Sequence, residues 1–215
     1  MVLTLDAGLS TLEARAARAH IALILFMALA GVSIGVTICE YGGLIDFDAA
    51  ELDRPSTAAG LSLAAYIITM VATTIIVATW IYRAHANLRD AGIGDLKFSP
   101  GWAVGWYFIP IANLFKPFQA MRELREASLT GRPGNGGTDS GNLPVWWGAW
   151  IVGSMASNAS LRLGDRNDQA FARLTSFLDI VSDLSFIASA WLLLQIIREV
   201  SQAQQTSLRA ASTFA

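Results

Sequence analysis

FSPGWAVGWYFIPIANLFKPFQAMREL, residues 98–124, decides how the rest of the chain is arranged. It is apolar enough to enter a bilayer, yet Pro100, Pro110 and Pro117 punctuate it. Each proline lacks an amide hydrogen and crowds the preceding helical turn. A continuous spanning helix is therefore disfavoured here. Backbone left unpaired at membrane depth must be shielded by protein or face water. The stretch predicts a re-entrant or interfacial segment over 98–115, held by its neighbours. Pro117 suits a first helical turn, so an amphipathic helix is expected over 117–129. Phe118, Met121, Leu124 and Leu129 fall near one face of it. Lys116, Arg122, Glu123, Arg125 and Glu126 fill the other.

Long apolar runs flank this stretch on both sides, at 19–38, 61–82, 143–161 and 174–197. Each approaches the length that crosses a hydrocarbon core of roughly 30 Å. The fold class expected is an all-α membrane protein, with four transmembrane helices plus the proline-broken segment. Five spans, with 98–115 crossing, is the alternative. Composition agrees: 53% hydrophobic and 15% charged residues with a mean hydropathy of +0.45 are too apolar for an ordinary soluble domain. At 215 residues a single integral membrane domain over 1–215 is the default.

Local signals fill in the pattern. Ser10 and Glu13 form an S-x-x-E capping box, which places the start of the first helix at Ser10. Gly31 and Gly35 make a small-xxx-small pair that would allow close helix approach. Trp80 and Tyr82 end the second run, where an aromatic belt is expected. GRPGNGGTDSGN, 131–142, reads as a flexible linker. The third run is opened by Pro144, Trp146, Trp147 and Trp150 and is rich in Gly, Ser and Asn.

Lys and Arg favour the cytoplasmic side of short loops. If 98–115 does not cross, Arg15, Arg18, Arg83, Arg89, Lys97, Lys116, Arg122, Arg125, Arg132, Arg198 and Arg209 lie inside. Arg54, Arg162, Arg166 and Arg173 lie outside, with the acidic 40–60 loop. If it crosses, the bias almost vanishes. Four spans with both termini cytoplasmic is the expected topology.

Residues 80–126 resemble DUF4328, a bacterial membrane-protein family without an assigned biochemical function. The resemblance is carried by Trp80, Arg83 and Asn87, then Ser99, Pro100 and Trp102, then Gly105 through Pro110. Asn113, Leu114, Pro117, Gln119 and Met121 through Leu124 continue it. The motif core is Trp80, Pro100, Trp102, Gly105, Trp106, Pro110, Asn113 and Pro117. Tyr107 stands where the family often has a second tryptophan. The resemblance implies a multi-spanning membrane fold and implies no catalysis; the location expected for the chain is the bacterial inner membrane.

Few residues in the chain carry evident chemistry. Asp179 and Asp183 lie four apart, on one helix face. Counted from Leu174, Asp183 would sit roughly 13 Å deep. A charge there costs about 3 kcal/mol on insertion scales, so it needs a partner or water. One reading is a proton or cation site with Asn158; the plainer one is a structural hydrogen bond. Arg83, Asn87, Arg89, Lys116 and Arg122 form a candidate lipid-phosphate or carbonyl-capping site. Trp102, Trp106, Trp146 and Trp147 read as interfacial anchors. His20 and His85 stand isolated and the lone Cys39 can form no internal disulfide, so no metal and no cofactor is expected. No GxSxG, HExxH, P-loop or dinucleotide fingerprint occurs.

The function expected is therefore non-enzymatic: a scaffold or accessory subunit. A small proton- or cation-coupled transporter using Asp179 and Asp183 is the alternative. Expected partners are membrane lipids and other membrane subunits or a second copy. The net charge of -2 says nothing about a nucleic-acid partner, but no basic tract is long enough to bind one, and no nucleic acid is expected.

Overall fold

The computed structural model describes residues 2–47, 54–134, 141–164 and 169–213. Parts of the acidic loop, the 131–142 linker and the 162–173 connection lie outside the described residues. The helices run α1 (Val2–Tyr41), α2 (Arg54–Asp90), α3 (Pro100–Gly105), α4 (Lys116–Thr130), α5 (Leu143–Leu163) and α6 (Gln169–Thr213). Two 3-10 turns, Trp106–Phe108 and Ala112–Leu114, sit between α3 and α4. No strand occurs among the described residues.

Three stretches are long and apolar enough to cross a membrane: Leu5–Tyr41, Arg54–Asp90 and Phe171–Leu208. They contain the expected spans 19–38, 61–82 and 174–197. The helix over 143–161 forms as α5 but is not one of the three. Gly148, Gly153, Ser154, Ser157 and Asn158 lower its hydropathy. Residues 98–115 hold only the six-residue α3 and the two 3-10 turns, so no continuous helix of spanning length forms there.

Two helix ends differ from the sequence expectation. Helix α1 begins at Val2, and Ser10 lies in its interior. The Ser10 hydroxyl donates to the Ala7 carbonyl across 3.0 Å instead of capping a helix start. Leu5, Leu9 and Leu12 explain the extension. At spacings of four and three they share one buried face, and that burial outweighs the capping signal. Helix α6 likewise continues through the polar tail to Thr213, burying Ile197, Val200, Gln204 and Leu208.

The chain packs as two compact units. The first comprises Met1–Ile21, Thr74–Val145 and Leu192–Ala215. In it α1 passes so close to α2 that a Cβ on Gly8 would lie 2.5 Å from Asn87 Oδ1. The second comprises Ala22–Thr73 and Trp146–Trp191. There Gly153 on α5 lies flat against α6, where a Cβ would meet the Phe186 ring at 3.0 Å. The Ser182 hydroxyl donates to the Gly153 carbonyl at 3.1 Å, and Thr73 donates to the Ala22 carbonyl at 3.2 Å. Ile24, Leu25, Ile67, Ile68, Val152 and Leu184 remain exposed on this unit. Gly31 and Gly35 face open space, so the close approach is made at Gly153.

Candidate functional site

The proline-broken stretch folds against α4, within the first unit, and encloses a cleft of about 780 Å³. Its local geometry follows from the residues. Ser99 is extended, and its hydroxyl accepts the Trp102 amide at 3.3 Å, capping α3 while Pro100 opens it. Gly105 sits beside the Trp102 ring, where a Cβ would come within 3.3 Å of it. Trp102 and Trp106 therefore pack with ring centroids 4.8 Å apart. Pro110 lies in the turn between the two 3-10 segments, and Pro117 is buried in the first turn of α4.

Glu123 fastens this arrangement. It is buried on α4, contrary to the expectation that it lies on the solvated face. One carboxylate oxygen accepts the Lys97 amide at 2.8 Å and the other accepts the Phe98 amide at 3.0 Å. Those amides precede α3 and have no helical partner, so an ionised acceptor gains a strong, charge-assisted pair of bonds. On α4 the Phe118 and Leu129 positions are less buried than Ala120, Met121, Leu124 and Ala127, so the inward face is rotated toward Glu123.

Cationic side chains line the cleft: Arg89, Lys97, Lys116 and Arg122, with Asp95 and Glu126 also present. Lys116 Nζ lies 5.9 Å from the Phe98 ring centroid and 5.8 Å from that of Trp106. Arg89 donates weakly to the Phe98 carbonyl at 3.4 Å. Arg122 stands 3.8 Å from Glu126, which also accepts the Gly134 amide at 3.2 Å. Among the described residues neither Lys97 nor Lys116 pairs with a carboxylate. Beside the cleft the broken segment exposes Phe108, Ile109, Ile111, Leu114 and Phe115.

Arg83 and Asn87 do not line this cleft. Asn87 Oδ1 accepts from Arg83 Nε at 2.8 Å, and Arg83 also pairs with Asp90. Asn87 in turn donates to Gln204 at 3.2 Å, and Gln204 donates to the Ala84 carbonyl and the Ser128 hydroxyl, each at 3.0 Å. This buried network ties α2, α4 and α6 together. Arg83 is thus engaged by its own helix rather than capping carbonyls near Pro110. Arg125 and Glu199 add a two-pronged ion pair at 2.7 and 2.6 Å.

In the second unit Tyr66 donates its phenol hydrogen to Asp183 at 2.8 Å, and Ser33 also hydrogen-bonds that carboxyl. Asp183 is buried and Asp179 half-buried. Asn158 is exposed, and its amide donates to the Ser154 carbonyl of its own helix at 2.7 Å, so it takes no part in this cluster.

The tryptophans divide by environment. Trp102 is exposed and Trp106 half-buried. Trp80 is fully buried and donates to the Ser201 hydroxyl at 3.1 Å, so it is not a belt residue. Trp146 and Trp147 are buried too, and Trp147 stacks on Trp150 at 4.6 Å. They are packing groups rather than surface anchors, because a ring stacked on neighbours is already withdrawn from the interface.

His85 is buried, with Nδ1 3.0 Å from the Ile81 carbonyl, and the Arg198 guanidinium lies 3.2 Å from the His20 ring nitrogens. Among the described residues no group of three or more His, Cys, Asp or Glu side chains is placed to hold a metal. The Asn113 side-chain oxygen is buried without a hydrogen-bond partner among the described residues.

Sequence reasoning missed Tyr66, Lys97, Glu123, Ser128 and Gln204 as site-forming residues. Glu123 carried one usable signal: it lies three positions after Ala120 and four before Ala127, on the helix face of these two small apolar residues. Gln204 carried a similar one, since it continues the Ile197 and Val200 face of α6.

Membrane-length apolar helices and a clamped, proline-broken amphipathic segment define an all-helical membrane-type protein. The chain belongs to the family described as Domain of unknown function (DUF4328), which it matches over residues 44–202. That match extends well beyond the 80–126 motif region on both sides. No curated protein and no solved structure matches the chain.

Proposed function

We propose that this chain is a non-enzymatic integral membrane scaffold or accessory subunit whose proline-broken segment is seated in the membrane interface. One observation carries the proposal. Phe108 and Ile111 are 75% and 78% exposed, in a segment whose entry Glu123 fixes through the Lys97 and Phe98 amides. Contiguous exposed apolar side chains of this size mark a surface that meets lipid or protein. Lys97, Lys116 and Trp102, which line the cleft of the same segment, are residue types that sit at the headgroup level. The location we propose is the bacterial inner membrane, multi-pass, with both termini cytoplasmic; the charge bias of the loops supports it. We take α5 as a fourth crossing. Exposed Val145, Val152, Met155 and Leu161 on it support lipid contact despite its small, polar residues.

A bimane probe at Ile111→Cys, in a Cys39→Ser background, tests the seating. Nitroxides near the top of the acyl chains should quench it more strongly than aqueous iodide. Dominant iodide quenching would remove the proposal. Labelling of Thr130→Cys by an impermeant thiol reagent in intact cells would reverse the sidedness.

A small proton- or cation-coupled transporter using Asp179 and Asp183 is the second reading, favoured by the burial of Asp183. The hydrogen bond from Tyr66 weighs toward a structural carboxyl, already satisfied within the protein. Proton uptake in proteoliposomes that disappears in Asp183→Asn would favour transport.

A further inference from the structure

We infer that the cleft between the broken segment and α4 binds the phosphate-bearing headgroup of an anionic phospholipid. This rests on the interfacial seating proposed above, and adds the ligand class. The volume, about 780 Å³, suits a headgroup rather than a lone ion. Four cationic side chains line it against three carboxylates, Asp95, Glu123 and Glu126, and two of those carboxylates are already engaged. Glu123, the buried carboxylate in the lining, is occupied by the Lys97 and Phe98 amides. Glu126 is shared between Arg122 and the Gly134 amide. Among the described residues the ammonium groups of Lys97 and Lys116 pair with no carboxylate; Lys116 donates one hydrogen to Gln119 Oε1 at 3.4 Å and keeps two for phosphate oxygens.

The aromatic groups select against the common zwitterionic alternative. A choline headgroup would seek the faces of Phe98 and Trp106, as quaternary ammonium groups do. Lys116 already stands over both rings, at 5.9 and 5.8 Å, and repels a second cation. The same chemistry would accept a soluble phosphate compound. The exposed Phe115 and Leu114, directly before Lys116 in the chain, favour lipid, because they offer an apolar path for acyl chains leaving the cleft.

The test uses the full chain in nanodiscs of equal phosphatidylglycerol and phosphatidylcholine, then gentle transfer to detergent and measurement of retained lipid by native mass spectrometry. The wild type should retain phosphatidylglycerol in clear excess. Lys97→Gln with Lys116→Gln should lower that excess roughly thirtyfold, as expected for two cations at an anionic surface. Lys97→Arg with Lys116→Arg should restore it, and Arg162→Gln, outside the cleft, should leave it unchanged. No excess in the wild type, or an excess that survives the double glutamine variant, overturns the inference. Release of the retained lipid by millimolar inorganic phosphate overturns the lipid assignment in favour of a soluble phosphate compound. The bimane at Ile111→Cys is read in the same discs. Lost selectivity with the probe still at acyl depth sinks only the headgroup site. Retained selectivity with the probe in water sinks only the interfacial seating.

Discussion

Glu123 holds the backbone amide of Phe98 at 3.0 Å, with its other oxygen on Lys97, so one buried carboxylate sets where the broken segment leaves α2 and meets α4. Replacing it with alanine strands two donors in a buried site. Each such orphan costs on the order of 1–3 kcal/mol. Glu123→Ala should therefore lower the thermal midpoint in detergent markedly and expose the chain to trypsin after Lys97. Glu123→Gln keeps an acceptor for only one amide and should fall between. An alanine variant as stable and as protease-resistant as wild type would remove the clamp.

The Gln204 network predicts non-additive damage. Gln204→Ala removes bonds to Asn87, Ala84 and Ser128 together. A loss of roughly 1–3 kcal/mol is expected from the buried partners left behind. Adding Asn87→Ala should then cost much less than it does alone, because both residues act in one network. Chemical denaturation followed by tryptophan fluorescence reads this. Simple additivity would show that the two residues do not share a network.

Two glycines and a third make a contrast within one chain. Gly153→Ala drives a Cβ to 3.0 Å from the Phe186 ring and 3.2 Å from the Ser182 carbonyl, and should destabilise by about 1–3 kcal/mol. Gly8→Ala should do the same against Asn87. Gly31→Ala meets nothing within 4 Å and should be neutral or stabilising by up to about 1 kcal/mol, as alanine is the better helix former. Equal effects at all three positions would contradict the packing described.

Tyr66→Phe removes the donor to Asp183 while leaving the ring stacked on Phe26 at 5.5 Å. It should destabilise by roughly 1–3 kcal/mol, and Asp183→Asn, which keeps an acceptor for the phenol, should cost less. The order of the two thermal midpoints checks this. If Asp183→Asn is the more damaging, the carboxylate itself has a partner beyond Tyr66 and Ser33.

Much of the helical layout was legible because it rests on local composition. The apolar runs and the prolines act over a few residues, and so α1, α2, α6, the break at 98–115 and the start of α4 can be read directly. The end positions could not. Ser10 and Glu13 form a valid local cap, but Leu5, Leu9 and Leu12 gain more by staying helical and burying one face. The inward side of α5 was not legible either: Trp147 stacks on Trp150 and Gly153 lies against Phe186, and composition alone cannot distinguish such packing from lipid contact.

The sequence by itself determined that this is an apolar helical chain with a proline-broken middle, and that it carries the DUF4328 pattern, because propensity, hydropathy and motif spacing are properties of neighbouring residues. The tertiary structure alone decided which polar groups meet. Asn87 finds Gln204 across 117 positions and Tyr66 finds Asp183 across the same separation. It also divided the predicted basic site, sending Arg83 and Asn87 into a buried network and leaving Arg89, Lys116 and Arg122 with Lys97 around the cleft. Hydrogen bonds act over about 3 Å, so partnerships between distant residues exist only after the helices have packed.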